Sequence, residues 1–148
     1  MAERPQQLAH LEFLGDAIRF AGHIHALIPK CTLLENFMPA EVRLLTSFMD
    51  VYRAADGIEI IREGDGGDFM LMVVEGRVEV RKSDRWNTPQ LIAVLGRESL
   101  ARIIVEQPML GAKVLMELVL MLSQRLRATS DRLMQLLDEQ GQRSAGLL

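Results

Sequence analysis

Residues 60–76 read Ile60-Ile61-Arg62-Glu63-Gly64-Asp65-Gly66-Gly67-Asp68-Phe69-Met70-Leu71-Met72-Val73-Val74-Glu75-Gly76. Two aliphatic residues run into a cluster of glycines and aspartates, which is turn chemistry. Gly64 and Gly76 can take the positive φ that a tight antiparallel turn needs. Asp65 can brace such a turn by bonding to nearby backbone. Phe69 to Val74 is an unbroken apolar run, the pattern of a strand buried on both faces. After the Glu75-Gly76 turn, Arg77-Val78-Glu79-Val80-Arg81 alternates as a half-exposed strand.

The period of two extends outward from this stretch. Upstream, Val51 to Ala54 and Ile58 to Ile60 read as short strands separated by Asp56-Gly57. Downstream, Ser83 to Pro89 is a polar loop, and Leu91 to Leu95 is another strand ended by Gly96. Residues 51–96 thus form a compact antiparallel block. Helical spacing flanks it on both sides. Leu11, Leu14, Ile18, Ala21, Ile24 and Ile28 recur at three- and four-residue steps, predicting a helix over 11–28 that Pro29 ends. Gly15 and Gly22 each weaken that helix by roughly 1 kcal/mol relative to Ala. Within the entry region 33–50, Pro39 to Asp50 predicts a second helix, with Pro39 at its first position and Glu41 in its first turn. After Gly96 come a short helix, Glu98 to Gln107, and a long one, Pro108 to Glu139. The tail 140–148 is expected to fray. Helices, then antiparallel strands, then helices make an α+β fold in a single domain over 1–148.

Composition narrows the function classes. The chain has 148 residues, 49% hydrophobic and 25% charged, which suits a globular domain and not a disordered one. Its net charge of −3, with Lys and Arg spread along the chain, argues against direct nucleic-acid binding. The most apolar window, Val114 to Leu122, contains Glu117 and is too short to span a membrane. Residues 1–7 lack the basic start and apolar run of a secretion signal. One cysteine, Cys31, cannot form an internal disulfide and fits a reducing compartment, so a cytoplasmic protein is expected. Its small apolar body points to a half-buried packing role and not to a nucleophile. His23 and His25 lie two apart on a predicted helix, facing different ways, so no metal site is expected from them and His10. Asp65 and Asp68 lack the rest of a calcium loop. No Ser, Thr or Cys carries a recognisable nucleophile motif. The methionines, among them Met70, Met72, Met116 and Met121, read as core filler.

The stretch Ile60 to Gly76 resembles the first signature of the cyclic nucleotide-binding domain family. That signature is two aliphatics, two variable residues, Gly, a small polar residue, a spacer, Gly, two spacers, four apolar residues, two spacers and Gly. Gly64, Gly67 and Gly76 stand at its three glycines, with Asp65 at the small polar position and Met70 to Val73 at the apolar block. Leu33-Leu34-Glu35-Asn36-Phe37 with Pro39-Ala40-Glu41-Val42 resembles the family's entry helices. Arg97-Glu98-Ser99-Leu100, the short helix, Pro108 and the long helix resemble its closing helices. The resemblance, running from Leu33 to about Glu139, implies an antiparallel β-roll of jelly-roll type with flanking helices. It also implies a regulatory role without catalysis.

In this family a strand like Leu91 to Leu95 leads into a phosphate-binding cassette, followed by two more strands. The cassette reads roughly Phe-Gly-Glu, a helical turn, then Arg-Ser or Arg-Thr and Ala. Its Glu accepts from the ribose hydroxyl, and its Arg pairs with the cyclic phosphate beside a helix N-terminus. Here Gly96 runs directly into Arg97-Glu98-Ser99. Arg97 and Glu98 are adjacent and cannot stand for the cassette pair, so no ligand-binding residue is assigned. Either the numbering closes over a segment between Gly96 and Arg97, or the chain lacks it, or the resemblance misleads. A deletion would leave unpaired strand edges, which natural sheets avoid, and this favours the first. The expected ligand is then cAMP or cGMP. The alternatives are a degenerate, non-binding dimerisation or scaffold domain, and a small enzyme with an unrecognised site.

Along the long helix, Leu115, Leu118, Leu122, Leu126, Leu133 and Leu136 form a stripe close to a heptad repeat with one slip. Such a helix either covers the roll or pairs with its twin. The stripe favours a homodimer through 108–139.

Overall fold

The computed structural model describes residues 4–62, 64–79 and 90–146. Its elements run β1 (Glu12–Asp16), α1 (Ala21–Ala26), α2 (Pro39–Thr46), β2 (Asp50–Ala54), β3 (Phe69–Glu75), β4 (Gln90–Gly96), α3 (Arg97–Glu106) and α4 (Pro108–Gly146). Short 3-10 turns at Gln6–Leu8, Ala17–Phe20 and Ile28–Lys30 link the N-terminal part. The class is α+β, and the chain divides into two units, Met1–Ala112 and Lys113–Leu148.

In the first unit the strands make one antiparallel sheet in the order β1-β2-β4-β3. β4 is central, and Ile92, Ala93, Val94 and Leu95 are buried in succession, as expected of a strand covered on both faces. On one face Tyr52, Ala54, Ile92 and Val94 pack with Leu8 and Leu11, and Ile60, Phe69 and Leu71 close the edge of this cluster. On the other face lie Val51, Ala93, Leu95, Met72 and Val74, all buried. α1 approaches β3, and α3 approaches β4.

The N-terminal segment corrects the helix expected over 11–28. Glu12–Asp16 is instead a strand paired with β2, followed by a 3-10 turn and a helix of only six residues, Ala21–Ala26. The reason sits at Gly15, whose φ of +111° no right-handed helix contains. The strand pairing slips between Phe13 and Gly15, so the glycine makes the irregularity that lets the edge strand twist. The Asp16 carboxylate then accepts from the Ile18 N–H at 3.1 Å, starting the 3-10 turn.

Other boundaries shift for local reasons. α2 ends at Thr46, because residues 50–54 are drawn into the sheet. Glu41 accepts from the Met38 N–H at 2.9 Å, which secures the start of α2. The expected strand at Ile58–Ile60 is irregular: Ile58 N–H closes a turn on the Ala55 carbonyl across Gly57, whose φ is +74°. Of the strand expected at 77–81, residues 77–79 are irregular and 80–81 lie outside the described residues, as does the loop 83–89. α4 runs to Gly146, seven residues past its expected end at Glu139, so the tail 140–148 is largely helix.

The second unit is the rest of α4. Every residue from 122 to 146 is exposed, including Leu122, Leu126, Leu133, Met134, Leu136 and Leu137. No helix among the described residues is long and apolar enough to cross a membrane.

Candidate functional site

The turn leading into β3 is built by backbone geometry. Gly64 has a φ of +89°. Asp65 holds the turn from both directions, its carboxylate accepting from the Arg62 N–H at 3.1 Å while its own N–H donates to the Arg62 carbonyl at 3.0 Å. A Cβ on Gly67 would stand 3.1 Å from the Phe69 ring, so this glycine keeps room for the aromatic that starts the strand. At the far end of β3 Gly76 has a φ of +98°. A side chain there meets left-handed backbone, so Gly76→Val is expected to lower unfolding free energy by about 1–2 kcal/mol. Urea denaturation checks this, and an unchanged midpoint would mean that the turn re-forms without positive φ.

The junction between β4 and α3 settles where the missing cassette would lie. Gly96 is the last residue of β4, paired with Phe69, and also the N-cap of α3, with φ −79° and ψ 161°. The Arg97 N–H donates to the Asp68 carbonyl at 2.9 Å, tying this junction to the entry of β3. The full sequence runs from Gly96 to Arg97 without a break, so no segment is hidden there. That corrects the favoured expectation. β4 runs straight into α3, as a last strand before the closing helices would. The cassette and its following strands would have to fit within residues 77–89, Arg-Val-Glu-Val-Arg-Lys-Ser-Asp-Arg-Trp-Asn-Thr-Pro. These contain no glycine, no Phe-Gly-Glu and no Arg-Ser or Arg-Thr followed by Ala, so the chain lacks the cassette.

The edges that such a loss would leave are partly managed by the N-terminal segment. β1 pairs with the outer side of β2, and Leu8 and Leu11 cover the inner face of the sheet. Leu8 precedes any periodic pattern, and its burial was not legible from the sequence.

A cluster at the β1–β2 end also escaped the sequence reading. Asp16 and Asp50 face each other across the ladder, beside Phe13 and Tyr52, whose rings meet edge to face at 5.5 Å. The Arg4 guanidinium sits 4.2 Å over the Phe13 ring. Burial raises the Asp50 pKa above its ordinary value, with Arg4 opposing and Asp16 adding to the shift. Burial likewise raises the Tyr52 phenol, and its hydroxyl has no hydrogen-bond partner among the described residues. A carboxyl whose pKa is higher in the folded state favours folding when protonated. Its contribution is fully present below the unfolded value near 3.8 and is lost as pH rises through the folded pKa. Asp50→Asn is accordingly expected to raise Tm at neutral pH by about 2 °C, and to leave it unchanged well below pH 4. Thermal scans at both pH values check this; a lower Tm at neutral pH would show that Asp50 is held by a favourable ion pair.

Among the described residues the remaining polar features do not assemble a ligand site. His10, Glu12, Arg53, Ala55, Asp56 and Ile58 line a cleft of about 390 Å³, where the Glu59 carbonyl lies 2.6 Å from the His10 ring nitrogen Nε2. Glu12 pairs in register with Arg53, so the cleft is electrically mixed and poorly suited to an anion. His23 on α1 meets the Phe20 ring at a tilt, with centroids 6.0 Å apart. Among the described residues no three His, Cys, Asp or Glu side chains gather as metal ligands.

No protein-family model and no curated protein matches the chain. Solved structures do. A cyclic nucleotide-binding domain from Methylobacillus flagellatus KT is 26% identical, with a TM-score of 0.67 over 88% of this chain and 94% of that one. The N-terminal domain of a transcriptional regulator from Streptomyces coelicolor A3(2), 19% identical, shares the fold with a TM-score of 0.52 over 72% of this chain and 94% of its own. This likeness, with the complete first signature at Ile60–Gly76, supports kinship of fold with the cyclic nucleotide-binding domain family.

Proposed function

We propose that the chain is a non-catalytic regulatory module that dimerises through α4 and does not itself hold a cyclic nucleotide. The observation that carries this reading is the exposed run of α4, residues 122–146, with its apolar stripe. Isolated helices are marginal in water, and exposed leucines at heptad spacing gain stability only by pairing. A second copy of the chain presents the same stripe and is the simplest occupant. The loss of the cassette supports the other half of the reading. Without its Arg and Glu, the signature's one cation is Arg62, which pairs with Glu59 at 3.3 Å. The signature residues shape backbone and present no nucleophile, which supports a role outside catalysis. The single Cys31 fits a reducing compartment, and we assign the chain to the cytoplasm.

Calorimetric titration of the protein with cAMP and with cGMP tests the ligand half. No heat of binding is expected for either. A saturable signal would overturn it and favour the sensor reading, which rests on the Methylobacillus neighbour and would need ligand groups from outside the signature. Size-exclusion chromatography with light scattering tests the other half. A mass of two chains is expected, and a monomer at all concentrations would overturn it.

A further inference from the structure

The N-terminal segment lays a guanidinium on a part of the sheet that carries two carboxylates and a buried phenol. Phe13 pairs with Tyr52, and Asp16 with Asp50, across the β1–β2 ladder. Asp50 and Tyr52 stand two apart on β2, so their side chains leave the same side of the sheet. The register slip between Phe13 and Gly15 brings Phe13 and Asp16 to that side as well. The cluster opens to solvent at Phe13, which is 41% exposed, and closes at Tyr52, which is 2% exposed. The Arg4 guanidinium sits 4.2 Å over the Phe13 ring, and its charge acts on both Asp50 and Tyr52. A planar cation on an aromatic face beside carboxylates is a favourable seat for a guanidinium. Here the group in that seat belongs to the chain itself.

Arg4 is a replaceable occupant. It is exposed and precedes the anchor of its segment: the Leu8 N–H closes the turn on the Pro5 carbonyl, and the Leu8 side chain is fully buried. Arg4 can leave the ring without disturbing either. Nor does it complete the site. The Tyr52 hydroxyl is buried with no hydrogen-bond partner among the described residues, and its oxygen can accept from a guanidinium N–H. Asp16 commits one carboxylate oxygen to the Ile18 N–H, which leaves Asp50 as the principal anion. Burial disfavours the charge on Asp50, and a bound cation relieves that.

We propose that the β1–β2 end of the sheet is a guanidinium-binding site formed by Phe13, Asp16, Asp50 and Tyr52, with Arg4 as a tethered competitor that an external guanidinium displaces. The external group is carried by a small molecule or by an arginine side chain of a peptide. All of these residues belong to the unit Met1–Ala112, so the site does not depend on pairing through α4.

Tyr52 is the only tyrosine of the chain, so nuclear magnetic resonance of ring-labelled tyrosine in the intact protein reports on this site alone. Agmatine, a guanidinium without a carboxylate, and the blocked peptide acetyl-Gly-Arg-Gly-amide are titrated separately at constant ionic strength. Saturable shifts of the Tyr52 ring are expected. The apparent dissociation constant for agmatine is expected to be about tenfold lower in Arg4→Ala than in the native chain, because a competitor at millimolar effective concentration has been removed. Adding Asp50→Asn to Arg4→Ala is expected to weaken binding about tenfold, the worth of one charge-assisted hydrogen bond. A response to agmatine alone assigns the site to a small molecule, and a response to both probes assigns it to a peptide; both support the site. No saturable shift in Arg4→Ala with either probe overturns it. Equal constants in the native chain and Arg4→Ala overturn the role of Arg4 as occupant, and undiminished binding in the double variant overturns the carboxylate seat.

Discussion

Replacing Leu126 and Leu133 together with glutamate is expected to abolish the proposed dimer and to melt much of the outer part of α4. Both side chains are more than half exposed in the single chain, at 70% and 57%, so the substitutions remove no core of the first unit. In a paired helix the two positions stack along one seam row, and a two-fold pair loses four buried leucines. At about 1.5–3 kcal/mol for each buried leucine, the loss weakens the dimer by at least about ten-thousandfold, before counting four carboxylates placed in the seam. The helix should report the same event, because a long exposed helix without a partner depends on propensity alone. Far-ultraviolet circular dichroism is expected to lose helical signal, while the cooperative unfolding of the first unit stays in place. An unchanged mass and helical signal would show that the stripe is not the interface.

The sequence made some of this legible and hid the rest for physical reasons. The turn and strand at 60–76 were readable because glycines with positive φ and an unbroken apolar block leave few alternatives. Gly64 and Gly76 do carry positive φ, and Phe69–Glu75 is a strand. α3 and α4 were readable from Pro108 and from long helical periodicity. The segment 11–28 was misread because Leu11, Ile18 and Ile24 fit a helical stripe by spacing. A single backbone requirement at Gly15 overrides that spacing, and local pattern cannot reveal a long-range pairing such as Phe13 with Tyr52. The place of the missing cassette was misjudged for a related reason. Leu91 to Leu95 is an apolar strand ending in glycine, and that description fits either of two family strands. Only its pairing, between β2 and β3 in the centre of the sheet, and its direct passage into α3 tell them apart. The Asp16–Asp50 pair was invisible for want of a register.

Leu8→Ala is the substitution that best separates the observed N-terminal segment from the helix that spacing suggests. Leu8 lies in a 3-10 turn, with its N–H on the Pro5 carbonyl at 3.1 Å and its carbonyl accepting from the Leu11 N–H at 3.0 Å. Its side chain is fully buried against Leu11, Tyr52, Ala54, Ile92 and Val94. Truncation there removes three carbons, Cγ and its two methyls, from a packed cluster and leaves a cavity at the edge of the sheet. The expected cost is about 3 kcal/mol, within the range for buried leucines. Substitutions this near a chain terminus ordinarily cost almost nothing. Ile18→Ala is the matched control. A helix over 11–28 would put Ile18 on the core stripe and leave Leu8 outside it, whereas here Ile18 is 51% exposed and should cost less than about 0.5 kcal/mol. Urea denaturation of the two variants gives opposite rankings for the two arrangements. If Ile18→Ala proves the more damaging, the sheet's inner face is not closed by the N-terminal turn. In that case the half-roll must find its cover elsewhere in the chain or in a partner. If Leu8→Ala is the more damaging, the turn at 6–8 and the strand at 12–16 together close the face of the sheet that the four strands alone leave open.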